Sequence, residues 1–150
     1  DTMHAAHGVG LAANQVGVGK KAIVLECRSK DRYPGQEDIP LQMYLNPRIL
    51  FYSKEGDEDW EGCLSIPDIH ETVQRKPTVV IESQTADGEW IEETFSGLPA
   101  RIIQHEYDHI EGVLFLDRLS PLKRRMLQGR LKDIAGGKVS ASYRMKFDVK

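Results

Sequence analysis

Apolar positions along the chain open in a short helical fragment, Thr2-Met3-His4-Ala5-Ala6-His7, which stops at Gly8. Alanine favours helix and glycine ends it, so this stretch reads as the tail of a helix whose start is missing. The run Lys21 to Glu26, centred on Ala22-Ile23-Val24-Leu25, then reads as a buried strand, followed by a polar loop from Arg28 to Pro40 with a Pro34-Gly35 turn. Leu41 to Asn46 and Arg48 to Tyr52 are expected as short strands punctuated by Pro47, and Lys54 to Asp59 as an acidic loop. A hairpin is predicted from Thr78 to Ser83 and Trp90 to Phe95, because Asp87-Gly88 between them is a strong turn signal. At Leu98 the apolar spacing changes to the helical period, through Ile102, Ile103 and Ile110, and ends before Gly112. A second helix should start with Ser120 as N-cap and Pro121 in its first turn, and run to Gly136-Gly137. Strands followed by one central helix and a terminal helix make an α+β chain.

Composition narrows the class. A chain of 150 residues suits one compact domain, 1–150, and 40% hydrophobic with 29% charged residues is ordinary for a globular protein. Apolar runs fall far short of bilayer length, so no membrane association is expected. The net charge of −3, with both signs interspersed, argues against a nucleic-acid groove. One basic cluster, Lys123-Arg124-Arg125 with Arg130 and Lys132, lies in the terminal amphipathic helix and reads first as a solvated face, second as a partner contact. Two cysteines are too few for a disulfide scaffold, so a reducing compartment is expected.

Chemistry concentrates in Gln104-His105-Glu106-Tyr107-Asp108-His109. Two histidines four apart on a helix stand above one another on one face, so both imidazoles can reach one ion. Glu106 follows the first of them, placing a carboxylate beside that ion where a general base for water is needed. A hydrolytic site needs a third ligand and an open position. Spacing alone leaves Cys63, Cys27, His70, His4, His7, Glu111 and Asp117 as candidates. Cys63 is attractive because Gly62 permits close backbone approach and a thiolate binds zinc or ferrous iron well. Cys27 reads as a small buried hydrophobe, and His4 and His7 as surface residues. The glycines of Gly8-Val9-Gly10 would let a ligand approach the main chain.

Three blocks, in order, resemble the peptide deformylase family: Gly8-Val9-Gly10-Leu11-Ala12-Ala13-Asn14-Gln15, Glu61-Gly62-Cys63-Leu64-Ser65, and Gln104-His105-Glu106-Tyr107-Asp108-His109 with Gly112 beyond. The likeness runs from about Thr2 to Lys123. It implies α+β architecture, with mixed or antiparallel sheets around a central metal-binding helix and a C-terminal helix, and a first strand and helix start missing here. It also implies Cys63, His105 and His109 as metal ligands, Glu106 as base, and Gln15 with the Leu64 N–H as donors to the formyl oxygen. The metal implied is Fe2+, with Zn2+ or Ni2+ as substitutes. The substrate would be an N-formylmethionyl peptide lying along Val9-Gly10, Glu61 and Gly62, its methionine entering a pocket at Leu98 and Ile102 with His70 nearby. An Arg75–Glu61 ion pair should brace the site.

Three positions depart from the family pattern: Asn14 replaces a common proline, His70 a common arginine, and Arg101 a usual apolar residue of the methionine pocket. The last two bear on substrate preference. Alternative readings are an HExxH metallopeptidase, which a downstream carboxylate or third histidine ligand would favour, and a catalytically altered relative. The resemblance implies a bacterial cytoplasm or, alternatively, an organelle matrix, with transient ribosome contact through the terminal helix.

Overall fold

The structure, a computed structural model, describes residues 1–28 and 33–147. A short helix α1 (Thr2–Ala5) precedes strand β1 (Gly10–Ala12) and a single 3-10 turn, Ala13–Val16. Strands β2 (Ala22–Cys27), β3 (Ile39–Tyr52), β4 (Asp57–Cys63), β5 (Ile66–Arg75), β6 (Thr78–Gln84) and β7 (Trp90–Ser96) follow. Helix α2 (Leu98–Ile110), a 3-10 turn at Phe115–Arg118 and helix α3 (Pro121–Ala135) complete the order. One antiparallel sheet runs β1-β2-β3-β6-β7, and β4 with β5 forms a separate two-stranded sheet.

Strand alternation and helical periodicity build the core together. On β2 the inward positions are Ile23, Leu25 and Cys27, and on β6 they are Val79, Ile81 and Ser83. Helix α2 lays Ala100, Ile102 and Ile103 on that face, where Tyr44 also packs, its ring edge-to-face with Phe95 at 5.8 Å. A second cluster joins Ile66, Ile69 and Val73 of β5 to Phe115, Leu116 and Leu119, with Leu127, Leu131 and Ile134 of α3 against it. Cys63 packs on this second cluster. No described helix is long and apolar enough to cross a membrane.

Most expected elements are present within a residue or two. Ser120 caps α3, its Oγ accepting the Lys123 N–H at 3.3 Å, with Pro121 in the first turn. Cys27 is buried, as a small hydrophobe would be, and His4 and His7 are exposed. Three differences are informative. The two strands expected around Pro47 are one strand, β3, which pairs with β2 up to Leu45 and with β6 from there on. The change of partner occurs at a register shift where Asn46 has φ 46°, so Pro47 marks a bulge rather than a break. The acidic stretch Lys54 to Asp59 is loop only at its start: β4 begins at Asp57, paired with Arg75. Main-chain pairing is indifferent to the exposed acids on it, which is why charge hid the strand. Of the polar loop expected from Arg28 to Pro40, Ile39 and Pro40 already belong to β3, and 29–32 lie outside the described residues.

Replacing Ile103, fully buried between helix and sheet, with Ala should cost about 2–5 kcal/mol in urea unfolding of the metal-loaded protein. Leu122→Ala on α3, where the side chain is 69% exposed, should stay within about 0.5 kcal/mol.

Candidate metal centre

Helix α2 places the imidazoles of His105 and His109 side by side, with ring centroids 5.0 Å apart. Cys63 arrives from the end of β4, just before the Leu64-Ser65 turn into β5, and its Sγ lies 3.2 Å from His109 Nε2. The ligand atoms of Cys63, His105 and His109 all lie within 4.8 Å of one another. No other candidate ligand joins them among the described residues. Glu111 pairs at the surface with Lys21, and Asp117 accepts from the Leu114 N–H and pairs with Arg124.

Each ring is held from behind. His105 Nδ1 meets Glu61 Oε2 at 2.9 Å, which turns Nε2 toward the cluster, and Phe115 stacks on the same ring at 6.1 Å. Glu61 is itself buried and fixed by Arg75, whose Nε and Nη2 donate to its two oxygens at 2.8 and 2.9 Å. Arg101 Nη1 donates to Glu61 Oε1 at 2.9 Å and to the Val73 carbonyl at 2.8 Å. Arg75 Nη1 reaches Asp108 Oδ2 at 2.6 Å, and Asp108 also accepts two bonds from Arg118. The expected Arg75–Glu61 pair is therefore one link of a larger buried network.

Electrostatics follow from this packing. Burial alone would raise the Glu61 carboxyl, but hydrogen bonds and charge from Arg75 and His105 hold it down at about 2. Burial likewise opposes the Cys63 thiolate, yet both histidines bring the thiol down to about 6, so the form that ligates a metal is accessible near neutral pH. Glu106 behaves oppositely: burial dominates and pushes it up to about 7. It is 4% exposed, and its Oε2 has no hydrogen-bond partner among the described residues. A buried carboxylate oxygen without a partner is costly unless it faces a ligand or reactant.

Gln15 and Leu64 border the same centre. Gln15 Oε1 accepts from the Ala12 N–H at 2.8 Å, which aims Nε2 at Ser65 Oγ, 3.0 Å away, and within 3.9 Å of Cys63 Sγ. The Leu64 N–H forms no hydrogen bond among the described residues. At Gly10 any Cβ would stand 2.5 Å from Glu106 Oε1 and 2.8 Å from Ile102 Cγ2, so only glycine lets β1 lie against the carboxylate. A cleft of about 1200 Å³ opens over these groups, lined by Val9, Gly10, Glu61, Gly62, Leu98 and Ile102 among others. His70 lines it too, its ring against Gly62.

A family model described as polypeptide deformylase matches residues 1–125. The chain belongs to the polypeptide deformylase family. Its activity is that of a metal-dependent hydrolase that removes the N-formyl group from an N-terminal methionine. A peptide deformylase of Flavobacterium johnsoniae is 47% identical over 98% of this chain and 79% of its own length. One from Cytophaga hutchinsonii is 44% identical over 100% of this chain and 80% of its own length. Among solved structures, a plant peptide deformylase is similar at a TM-score of 0.79 and 35% identity, covering 95% of this chain and 77% of that one. The Acinetobacter baumannii class I type b enzyme, solved with Met-Ala-Ser bound, has a TM-score of 0.76 at 42% identity over 79% of this chain and 74% of that one.

The structure also shows contacts that sequence reasoning did not foresee. Asp108 and Arg118 extend the deformylase's ion network, Ser65 holds the Gln15 amide, and Asn14 Nδ2 donates to the His109 carbonyl at 2.5 Å. The Asn14 side chain thus ties the 3-10 turn to the end of α2, something proline there could not do. Arg101 borders the cleft, but its guanidinium is engaged by Glu61, Val73 and Asp57. Arg75→Met should destabilise the fold by up to about 3–5 kcal/mol in urea unfolding, because two buried carboxylates would each lose a charged partner, Glu61 keeping only Arg101 and His105 and Asp108 only Arg118. Metal affinity, read by chelator competition, should fall about 10- to 100-fold as His105 loses its orientation.

Proposed function

We propose that Cys63, His105 and His109 hold one divalent metal, Fe2+ in the cell with Zn2+ or Ni2+ as substitutes, and that Glu106 is the base for formyl hydrolysis. One observation carries this reading: a thiol lowered to about 6 and two imidazoles converge beside a buried glutamate oxygen that has no partner among the described residues. The donor set fits the group, since one soft sulfur and two borderline nitrogens suit iron, zinc or nickel and leave room for reactants. When bound, the metal supplies Lewis-acid polarisation and makes water nucleophilic near neutral pH.

The protein's own groups do the rest. Glu106 Oε2 takes a proton from the attacking water and returns it to the amine nitrogen as the C–N bond breaks, leaving formate and a free N-terminus. Gln15 Nε2 and the Leu64 N–H donate to the formyl oxygen as negative charge grows on it, and Gln15 is already fixed by Ala12 and Ser65. Val9, just before β1, and Gly10 on it, with Glu61 and Gly62 on β4, border the peptide main chain, so affinity does not depend on substrate sequence. Leu98 and Ile102 form the floor for the methionine side chain, with His70 at the rim. The metallopeptidase alternative loses ground because Glu111 and Asp117 are engaged elsewhere, whereas Cys63 is within reach of both histidines.

Glu106→Ala should retain one metal per chain by elemental analysis while formate release from formyl-Met-Ala-Ser falls at least about a hundredfold. Cys63→Ala should lose the metal itself. A Glu106→Ala enzyme that still turns over at the native rate would overturn the assignment.

The bacterial relatives support a bacterial cytoplasm, with an organelle matrix as the alternative. Ribosome contact would use α3, although Lys123 is tied to Glu71 and Thr72, Arg124 to Asp117, and Arg130 to the Asp68 carbonyl. Reversing Lys123, Arg124 and Arg125 to Glu should remove salt-dependent co-sedimentation with ribosomes; binding that survives the reversal refutes this contact.

A further inference from the structure

Beyond α3 the chain folds back onto the molecule over residues 138–143. Gly137, at φ 73°, reverses its direction, and the Lys138 N–H closes the turn on the Asp133 carbonyl. Residues 138–141 run on without helix or strand, and a bend follows at Ser142 and Tyr143. The Tyr143 hydroxyl donates to the Leu64 carbonyl at 2.7 Å. Ser140, Ala141, Ser142 and Tyr143 all line the cleft that contains Cys63, Glu106, Val9 and Gly10. The family match ends at 125, so this segment lies outside the part of the chain that carries the family pattern.

Three features bear on what the segment does. It is latched at the same residue whose N–H faces the reacting oxygen, so its position is set relative to the chemistry. The main-chain groups of Ser140, Ala141 and Ser142 form no hydrogen bond among the described residues, which leaves them to solvent or to a peptide in the cleft. Their side chains are small and uncharged, which leaves room for varied neighbours. The methionine floor at Leu98 and Ile102 belongs to α2, and the tail is a separate boundary of the same space. A peptide longer than formylmethionine must leave the methionine site through this cleft.

We infer that the tail segment Ser140–Tyr143, held by the Tyr143 hydroxyl on the Leu64 carbonyl, is a wall of the substrate cleft that binds the residues following methionine. This inference rests on the deformylase reading. Tyr143 acts as a positioning and specificity residue: it holds a stretch of main chain with free N–H and C=O groups among the described residues where the second and third residues of a formylated peptide can bond to it, irrespective of their side chains.

The experiment compares kcat/KM for two substrates, formyl-Met-Ala-Ser and formylmethionine amide, in the full-length metal-loaded enzyme and in Tyr143→Ala and Tyr143→Phe. The ratio of the tripeptide value to the amide value should fall about five- to tenfold in Tyr143→Ala, chiefly through KM. Tyr143→Phe, which keeps the ring but cannot donate to Leu64, should fall in the same direction. Thermal unfolding of the variants identifies any general loss of structure, which would depress both substrates together. An unchanged ratio, whether or not the absolute rates drop, would overturn the inference and leave Tyr143 a structural contact. A ratio that rises would overturn it too, by showing that the tail obstructs longer peptides. Wild-type enzyme inactive on both substrates would instead overturn the deformylase reading itself.

Discussion

The arrangement depends on one buried carboxylate, Glu61. It accepts from Arg75 twice, from Arg101 once and from His105 once, so a strand, the next strand of its hairpin and the central helix meet on its two oxygens. A buried ion pair is not in itself a reason for stability, because the desolvation of each charge offsets most of the attraction. What the network contributes is position. His105 can present Nε2 to the cluster only if its other nitrogen is engaged, and Glu61 can engage it only if Arg75 and Arg101 fix the carboxylate plane. Asp108 extends the constraint to Arg118, so the 3-10 turn after α2 is tied to the same point.

The site sets opposite demands on two neighbouring carboxyls, and packing meets both. Glu61 is surrounded by donors and stays ionised, whereas Glu106 is buried against Gly10 with one oxygen unpartnered among the described residues, and that burial pushes it up to about 7. Close approach of β1 makes the second environment possible. Gly10 brings the strand against the Glu106 side chain so that little solvent reaches it, and a methyl group there would displace either the carboxylate or Ile102. Identity of a residue in the first block thus controls the chemistry of a residue almost a hundred positions away.

Much of this was legible before any coordinates. The His105-Glu106-His109 spacing declares its own geometry once the segment is helical, and the hairpin at Asp87-Gly88 and the capped helix at Ser120 carry local signals that need no tertiary help. The Arg75–Glu61 pair was readable only through resemblance, since nothing local links residues on two different strands. Strand β5 escaped notice because the buried positions that alternate along it, Pro67, Ile69, Val73 and Arg75, mix apolar side chains with a proline and a charge, so they do not read as an apolar period. Arg101 read as an intrusion into an apolar pocket, but its long side chain leaves that space for Glu61 and the Val73 carbonyl, a direction that one-dimensional spacing does not encode. The returning tail carries no pattern at all. Its place is fixed by a glycine turn and one phenol, signals too common in sequences to be read alone.

Strand β1 lies at the margin of the five-stranded sheet, with β2 on one side only. An unpaired sheet margin ordinarily invites other chains to add to it, which is the first step of aggregation, and proteins hide or shorten such margins for that reason. Here the unpaired run is just Gly10–Ala12, all three residues buried, with α2 packed against it and the cleft that holds Cys63 beside it. Something as thin as a single extended chain end can reach it, while the broad flank of a folded neighbour cannot. The recess that protects the molecule from sticking to its own kind is therefore also a filter for free termini over internal segments of folded proteins.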